Sequence, residues 1–461
     1  MKKVVCTLLA VLQVLLCFVA CGEANNGGNL TATDPTEDSI VYTYPSEIPT
    51  YVDDKEFPMV AFWSPPNTEE FYQGIVDCGF TAIVIDAKYG VNPGSAKMFE
   101  TLEICDKLGL DAYIALGKGH SFTNSTDYSK YESFKGFNTD EPLTKDQLDI
   151  IAGNIETLHN SYPNKDVNYL TTLIHSDIDE TVKDFGTFDN YVDYYFQHGG
   201  SSEEAFMYDI YPLQGTSLKG EINGRWLASL EDMSAASQKY GVDLYSYLAT
   251  MSIRSQTCRR PAEDDMRYVS YVNLAYGVKG FAYFCYMSPG GPPYDGEFVE
   301  ADWALVYYTD INDHSTYYKT PTWDIVKTVN DEMKALDHVI LSFDWQGTMK
   351  SIGSEASTTA GQNCFRNAKN WLKNHDGIKK FTSTEDAILG TFKDANGYDG
   401  FMLVNFSDPL YDKENTVTLE LRGATRAVVY IKGEPQTVEL DNGTYTVTLQ
   451  PGEGQFIIPL A

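Results

Sequence analysis

The stretch FPMVAFWSPPNTEEFYQGIVDCGFTAIVID, residues 57–86, carries the pattern that decides the fold. Two short apolar runs, Met59–Ser64 and Ala82–Asp86, have the length of buried strands. The segment Thr68–Cys78 between them has helical spacing and stops at Gly79, a residue that can adopt the left-handed conformation of a helix C-terminus. A strand, a helix and a second strand in this order predict that the two strands pair in parallel.

The same alternation of strand and helix continues to about residue 286. Eight such strands in roughly 250 residues are typical of a closed (β/α)8 barrel. An open doubly wound sheet would need a glycine-rich loop after the first strand, and Phe62–Pro66 is unlike one. The other predicted strands are Asp111–Gly117, Gly136–Asp140, Tyr169–His175, Ala205–Tyr211, Asp243–Thr250 and Lys279–Tyr286, and the other predicted helices are Ser95–Lys107, Lys145–Ser161, Phe185–Gln197, Gly224–Tyr240 and Asp264–Tyr276.

A helix at Thr322–Leu336 is expected to close the barrel, and beyond it the pattern changes to short strands separated by turn signals. Evenly spaced short strands predict a small antiparallel β-sandwich. We therefore expect a barrel domain at residues 55–340 and a β-sandwich domain at residues 341–461. The predicted strands of this second domain are Ala387–Phe392, Gly400–Asn405, Thr416–Leu421, Arg426–Tyr430, Thr437–Leu440, Thr444–Leu449 and Gln455–Ile458.

The first residues indicate export. Two lysines precede the apolar run Val4–Ala20, which is short for a membrane-spanning helix. The run ends in a Val-Ala-Cys sequence that resembles a bacterial lipobox, in which Cys21 becomes the lipidated first residue; an ordinary signal peptide is the alternative. We expect a lipoprotein signal peptide at residues 1–20, a flexible tether at residues 21–50, and a folded body anchored to the bacterial cell envelope.

Charge and cysteine content narrow the class of partner. The chain has 65 acidic against 34 basic residues, a formal net charge of −31. This acidity argues against nucleic acid and anionic lipid surfaces, and it suits a secreted protein with a neutral or cationic ligand. The cysteines beyond position 21 show no metal-site spacing and no disulfide framework, so we expect them to be buried, and we expect no metal or other cofactor.

Acidic residues stand at three predicted strand ends, where (β/α)8 barrels carry their reactive groups. Strand four ends in Asp140 and Glu141 followed by proline, strand six in Asp209, and strand two in Asp86. Two carboxyl groups across a cleft, one protonated and one ionised, are what glycosidic bond cleavage needs. The alternative for Asp86 and Asp209 is a structural role in capping or loop ordering, and for Glu141 a favourable charge in the first turn of the next helix.

Aromatic side chains crowd the same strand ends, and flat rings suit the apolar faces of sugars. Some of these rings will instead fill the barrel interior. His120 and His175, at the ends of strands three and five, are expected to hydrogen bond to ligand hydroxyl groups rather than to bind a metal. The residues expected to bind substrate are Trp63, Asp86, His120, Asp140, His175, Tyr211, Tyr247 and Tyr286.

Several stretches resemble glycoside hydrolases of clan A, especially their β-galactosidase-like barrels. Asp140-Glu141-Pro142 is similar to the Asn-Glu-Pro signature, whose glutamate is the acid/base at the end of strand four. The run Tyr268–Phe284 resembles the last helix–strand unit of those barrels, Thr320–Leu336 the closing helix, and Leu449–Phe456 the last strand of their accessory β domain. The resemblance implies a glycosidase-like barrel that acts on carbohydrate.

The chain also departs from the clan A pattern. Clan A enzymes carry a nucleophilic glutamate at the end of strand seven, where this chain reads Tyr245–Met251 without an acidic residue. Asp140 also stands in place of the signature asparagine. We therefore expect Glu141 to be the general acid and Asp209 the base or nucleophile. The reserve acids are Asp86, Asp295, Glu297 and Glu300.

Three functions remain open at this point. The first is a cell-surface glycoside hydrolase that uses paired carboxylates, and the absence of other hydrolase motifs favours it. The second is a non-catalytic glycan-binding lipoprotein that kept the barrel and lost the nucleophile. The third is the solute-binding protein of a transporter, which the trailing β-sandwich disfavours.

Overall fold

The computed structural model describes residues 42–51, 56–123, 126–175, 183–216, 219–253, 258–287, 304–308, 317–353 and 359–461. Residues 42–461 form one compact unit. The predictions on residues 1–41, including lipidation at Cys21, and on the reserve acids Asp295, Glu297 and Glu300 lie outside the described residues. In the part of the chain that is described, no helix combines the length and the apolar character needed to cross a membrane.

Eight parallel strands form a closed barrel, which confirms the predicted fold class. The first strand pairs with both the second and the last, so the sheet has no free edge. In chain order the strands are β1 (Met59–Ala61), β2 (Ala82–Ile85), β3 (Asp111–Ala115), β4 (Phe134–Asp140), β5 (Asn168–Ile174) and β6 (Ala205–Asp209), then a hairpin of β7 (Leu213–Thr216) and β8 (Lys219–Ile222), and then β9 (Asp243–Ala249) and β10 (Gly280–Phe284).

Alternation along the strands separates the interior of the barrel from its helix-facing side. Leu170 of β5 and Met207 of β6 belong to the apolar cluster inside the barrel, whereas Phe137 of β4 packs with the helices. Asp140 is three residues beyond Phe137, and Asp209 is two residues beyond Met207. The period of two therefore turns both carboxyl groups inward at the C-terminal end of the barrel.

The helices outside the barrel begin at side-chain caps that the sequence supplies. Thr68, Ser95, Thr144 and Thr187 each accept a hydrogen bond from a backbone amide in the first turn. Gly109 and Gly241 take the left-handed conformation at two C-termini. The helices are α1 (Glu69–Asp77), α2 (Ala96–Leu108), α3 (Lys145–Ser161), α4 (Phe188–Gln197), α5 (Trp226–Tyr240), α6 (Glu263–Ala275) and α7 (Pro321–Ile340).

Antiparallel sheets follow the barrel, as predicted, and enclose a second apolar core. The six-stranded sheet consists, in spatial order, of β13 (Phe343–Ser351), β15 (Ala387–Asp394), β16 (Asp399–Asn405), β21 (Gly454–Leu460), β18 (Arg426–Ile431) and β19 (Glu434–Glu439), and the three-stranded sheet of β14 (Ile378–Ser383), β17 (Asn415–Leu421) and β20 (Thr444–Leu449). Three further elements are the paired strands β11 (Val306–Tyr308) and β12 (Tyr317–Lys319) and the helix α8 (Thr359–Asn367).

Helix α6 lies between the barrel and the six-stranded sheet, and every residue from Asp265 to Ala275 is buried. The sheet comes so close that a Cβ atom on Gly390 would stand 2.2 Å from the carbonyl oxygen of Ala275. Beside the start of this helix, the Arg259 guanidinium donates to Asp265 and to Asp408, at 2.7 Å in both cases. All three side chains are buried, so this ion triad ties the barrel to the sheets.

Residues 42–51 pack against the sheets. Tyr44 is 4% exposed within the second core, and the Ala461 amide donates to the carbonyl of Pro45 at 3.0 Å. The Arg426 guanidinium donates to the carbonyl of Ser46 at 2.7 Å. The range expected to be a flexible tether therefore ends in ordered chain, because Tyr44 can bury its ring between the two sheets.

All five cysteines of the described residues are buried and unpaired, as expected: Cys78, Cys105, Cys258, Cys285 and Cys364. Burial raises the pKa of each thiol, to about 11 for Cys258 and about 12 for Cys364. The thiols therefore behave as small apolar side chains.

Candidate active site

The end of β4 brings two adjacent acids to the mouth of the barrel. Asp140 is the last residue of the strand, and the amide of Glu141 still donates to the carbonyl of Thr172 on β5, at 2.9 Å. Alternation would turn Glu141 outward, but its φ of +46° lies in the left-handed region that non-glycine residues rarely adopt. This backbone conformation turns the Glu141 side chain towards the mouth, and such conformations cluster at functional sites.

Asp209 lies deeper, at the end of β6, and is 8% exposed. Burial, followed by the charges of Glu141 and Asp140 and a hydrogen bond to Glu141, raises the pKa of Asp209 well above its usual range. Its Oδ1 atom is buried and has no donor among the described residues. The raised pKa favours the protonated form of Asp209 beside a second carboxyl group, and Asp209 makes no capping contact within the described chain.

Asp140 is the third member of the cluster. Burial and the charge of Glu141 raise its pKa to about 6, against the opposing effects of Lys118 and a hydrogen bond from Thr172. Asp140 and Asp209 therefore both bind their protons more tightly than an ordinary aspartate does. The strands β4 and β6 that carry these two residues flank β5, so their backbones stand about 9–10 Å apart and the inward side chains converge.

Among the described residues one cation, Lys118, contacts this cluster, and the sequence analysis did not identify it. The Lys118 ammonium lies 3.5 Å from Glu141 Oε2, with both side chains about one third exposed. Lys118 is on the loop after β3, and its position in the sequence gives no indication of the contact. The sequence shows only that a lysine, Lys118, stands near the end of strand three.

A buried hydrogen-bond chain fixes the loop that carries Lys118. Asn154 of α3 accepts from the amide of Phe122 at 2.6 Å and donates to the carbonyl of His120 at 3.0 Å. The same amide group donates to Tyr169 Oη, which lies 2.7 Å from Thr139 Oγ1. The loop is thereby linked through Tyr169 of β5 to Thr139 of β4, next to Asp140.

The two histidines expected to bind ligand differ in their surroundings. His175 follows β5 beside Glu141, and its Nδ1 atom is buried without a partner in the described part of the chain. Burial lowers the pKa of His175; the charge of Glu141 opposes this effect, and the charge of Arg225 adds to it. His120 is exposed on the Lys118 loop, where its amide closes a turn onto the carbonyl of Gly117.

Asp86 orders a loop. Its carboxylate accepts hydrogen bonds from the amides of Ser64, at 3.2 Å, and Lys88, at 2.9 Å. The Asp86 amide in turn donates to Ser64 Oγ at 3.3 Å. These contacts tie the end of β2 to the end of β1 and correspond to the loop-ordering alternative for this residue.

Trp63 stands next to this loop with a φ of +66°. The Lys88 ammonium lies 3.6 Å from the centre of its ring, and the ring of Phe284 packs edge-on at 5.0 Å. Trp63 is half-buried, so part of the indole remains open at the mouth. The cation–π contact fixes its orientation.

The predicted tyrosines divide into two groups. Tyr211 and Tyr247 belong to the barrel interior and lie near the carboxyl cluster. Burial is the main cause that raises the pKa of both tyrosines. The charge of Asp209 adds to the effect at Tyr211, and the charge of Asp140 adds to it at Tyr247. Tyr286 is fully buried on the helix side, with its hydroxyl 3.3 Å from that of Tyr317. The structure does not bring Tyr286 to the mouth.

The seventh barrel strand, β9, carries no carboxyl group beyond its first residue, Asp243. The cluster therefore draws its acids from β4 and β6. In the described ranges no three His, Cys, Asp or Glu side chains are arranged to hold a metal ion.

A separate cavity of about 390 Å³ lies at the opposite, N-terminal end of the barrel. Tyr113 and Tyr245 line it together with Lys135, Lys279 and carboxylates. The loops at the C-terminal ends of the strands build the active sites of (β/α)8 enzymes, so we assign the site to the carboxyl cluster. The carboxylates of the N-terminal cavity are Glu56, Asp111, Asp166, Glu204 and Asp243.

The fold and the site define a (β/α)8 barrel with three interacting carboxyl groups at its C-terminal mouth. No protein-family model matches the chain, and no curated protein matches it. Similar solved structures include a candidate alpha-galactosidase from Bacteroides fragilis, with TM-score 0.47, 10% identity and coverage of 88% of this chain and 79% of that chain.

Two further similar structures are sugar-cleaving enzymes by name. A GH27 β-L-arabinopyranosidase from Geobacillus stearothermophilus has TM-score 0.43 and 11% identity over 88% of this chain and 97% of that chain. A family 51 alpha-L-arabinofuranosidase from Bifidobacterium longum has TM-score 0.44 and 11% identity over 90% of this chain and 97% of that chain. With such low TM-scores and sequence identities, these similarities support no conclusion beyond the fold. The barrel topology defines that fold by itself.

Proposed function

We propose that this chain is a cell-surface glycoside hydrolase whose acids are Glu141 and Asp209, with Asp140 beside them. The observation that carries the proposal is the buried Asp209 carboxyl group at the C-terminal mouth of the barrel, whose pKa is raised by burial and by the charges of Glu141 and Asp140. Glycosidic bond cleavage needs one protonated and one ionised carboxyl group on either side of the bond. This cluster supplies both states at the same pH.

The charges favour a division of roles opposite to the one expected from the clan A resemblance. Asp209 is the buried, protonated group and is suited to protonate the leaving oxygen. Glu141 is the more exposed group and faces the Lys118 ammonium, so it is suited to act as the base or nucleophile. A glycosidic oxygen that takes the place of Glu141 at the Asp209 proton would receive that proton directly.

The surroundings of the cluster favour a neutral carbohydrate as substrate. Trp63, Tyr211 and Phe284 form an aromatic wall, with ring centres 5.0 to 5.9 Å from one another along it. Aromatic rings suit the C–H faces of sugars. Three carboxyl groups against one contacting lysine disfavour sugars that carry carboxylate or sulfate groups.

The test is hydrolysis of a panel of glycans and aryl glycosides by the mature chain and by the variants Glu141→Gln, Asp209→Asn and Asp140→Asn. We expect kcat/KM to fall about 10²- to 10⁴-fold in the first two variants. Asp111→Asn is the matched control, because it removes a carboxylate at the opposite end of the same barrel. Wild-type rates in both Glu141→Gln and Asp209→Asn would contradict the assignment.

A second candidate is a glycan-binding protein without catalysis, which the absence of a carboxyl group at the end of β9 favours. Glycan binding by the wild-type chain at micromolar affinity, together with no hydrolysis on the panel, would support this candidate. Isothermal titration against the same panel separates the two functions. Weaker binding in a Trp63→Ala variant would place the bound glycan at the barrel mouth.

We also propose that the chain is exported and anchored through a lipid on Cys21. The support is the sequence alone: an apolar run ending in Val-Ala-Cys after two lysines. Metabolic labelling with an alkyne fatty acid should mark the wild-type protein, and Cys21→Ser should abolish the label and release the protein from the membrane fraction. Equal labelling of both proteins would overturn the proposal.

A further inference from the structure

We propose that Lys118 is a positioning residue of this site: its ammonium, 3.5 Å from Glu141 Oε2, places a positive charge beside the carboxyl cluster of Asp140, Glu141 and Asp209 and so sets the pH at which the cluster loses its protons. The catalytic meaning of this role rests on the proposed function. The electrostatic role does not, because it concerns the ionisation of side chains in the protein itself. The two are therefore tested separately below.

The contact between Lys118 and Glu141 is the first support. Lys118 Nζ lies 3.5 Å from Glu141 Oε2, and within the described ranges no other lysine or arginine forms an ion pair with Asp140, Glu141 or Asp209. As an exposed ion pair it contributes little to folding stability. Its effect falls instead on the ionisation of the neighbouring acids, since a nearby cation favours the charged form of a carboxyl group.

The second support is the way the Lys118 loop is held. Lysine has a long flexible side chain, so a fixed effect on Glu141 requires at least a fixed backbone. Asn154 fixes the backbone of this loop. Asn154 is 2% exposed, and its side-chain amide forms hydrogen bonds with Phe122, His120 and Tyr169. The Thr139 hydroxyl also donates to the carbonyl of Leu116, at 3.2 Å, two residues before Lys118.

The other ionisable groups around the cluster do not replace this cation. His175 lies beside Glu141, and burial lowers its pKa, which disfavours a positive charge on its ring. Arg225, at the start of α5, acts on His175. The groups that face the cluster from the surrounding elements are Lys118, Asp140, Glu141, His175, Tyr191, Asp209, Tyr211, Arg225 and Tyr247.

The direction of the effect follows from the sign of the charge. A positive charge stabilises the ionised carboxylate, so Lys118 lowers the pKa values of Asp140 and Asp209. Replacing it with an uncharged side chain of similar length removes that stabilisation. Asp140 and Asp209 must then titrate at higher pH.

The experiment is a carboxyl ¹³C NMR titration of the mature chain labelled in aspartate and glutamate, for wild type, Lys118→Met and Lys118→Arg. We expect the Asp140 midpoint to rise by about one pH unit in Lys118→Met and to stay near its wild-type value in Lys118→Arg. Lys135→Met is the matched control, because Lys135 has similar exposure and pairs with Asp111 at 3.7 Å at the other end of the barrel. An unchanged Asp140 midpoint in Lys118→Met would overturn the proposal.

The catalytic consequence has its own readout. With any substrate that the panel identifies, both limbs of the kcat/KM profile should move to higher pH in Lys118→Met, with about a tenfold loss below the acidic limb. A purely structural role would lower the profile without moving it. If the panel is silent but the NMR midpoint moves, the electrostatic role stands and the glycosidase function fails. If hydrolysis is found and neither midpoint nor limb moves, the proposal on Lys118 fails alone.

Discussion

At the scale of single residues, Asp209 shows how an acid can be kept protonated inside a barrel. It is 8% exposed, and its neighbours Glu141 and Asp140 are acids rather than bases. A folded-state pKa above the unfolded value means that the native state binds the proton more tightly than the unfolded chain does. Stability is therefore lost as pH rises from the ordinary aspartate range through the folded pKa.

This predicts that Asp209→Asn makes the protein more stable at neutral pH while it removes activity. An asparagine is neutral at every pH, so the variant does not have to bury an ionised carboxylate, which is unfavourable for the folded state. The difference in Tm between variant and wild type should grow from pH 4 to pH 8, as measured by scanning calorimetry. A difference that stays constant with pH would mean that Asp209 does not titrate as the structure implies.

Residue roles were predictable from sequence only where the strand period fixes them. Asp140 and Asp209 could be placed at the mouth because they end β4 and β6 on the inward phase. Lys118 could not, because its place beside Glu141 depends on Asn154, which is 36 positions further along the chain. Tyr286 was expected at the mouth and lies in the helix-facing core, since the chain beyond β10 no longer follows the strand period.

At the scale of elements, the contact between α6 and β15 depends on a residue without a side chain. A Cβ atom on Gly390 would stand 2.2 Å from the carbonyl oxygen of Ala275, and that oxygen belongs to the backbone of a fully buried helix. We expect Gly390→Ala to lower the free energy of unfolding by about 1–3 kcal/mol, because the sheet must move away from the helix.

The control for this prediction is Gly153→Ala on the exposed side of α3. Nothing lies within 4 Å of its Cβ position, so the change should stabilise the protein by about 0.5–1 kcal/mol through helix propensity. Urea denaturation measures both variants. Equal effects of the same sign at Gly390 and Gly153 would show that the close approach is not a constraint.

The strands of the barrel were predictable because they are short apolar runs that alternate with capped helices. The hairpin β7–β8, the edge strand β14 and the bulged strand β13 were not identified. Strand β14 has the exposed lysines Lys379 and Lys380, and β13 is interrupted at Gly347, where its register with β15 shifts. Polar edges and bulges remove the alternation on which sequence analysis depends.

At the scale of the whole molecule, the barrel and the sheets share a helix rather than a linker. Helix α6 is buried on the barrel side and on the sheet side, and the triad of Arg259, Asp265 and Asp408 crosses the same boundary. Removing the sheets would therefore expose an apolar helix face and leave the Arg259–Asp265 pair without Asp408.

We predict that a fragment of residues 42–341 aggregates, whereas the whole of 42–461 unfolds in one cooperative transition. Size-exclusion chromatography and circular dichroism melting test this directly. A monomeric fragment with a cooperative melt would show that the barrel is an independent domain. Two separate transitions in the intact chain would lead to the same conclusion.

The buried cysteines can report where and when the folded protein opens locally. One thiol lies at the end of α1, one in α2, one after β9 where it pairs with Gln214 of the β7–β8 hairpin, one directly after β10 and one in α8, so they sample the barrel wall, its mouth and its junction with the sheets. An alkylating reagent reaches each thiol only when the surrounding structure opens. Mass spectrometry of a timed alkylation would therefore give the order in which the regions of the protein come apart.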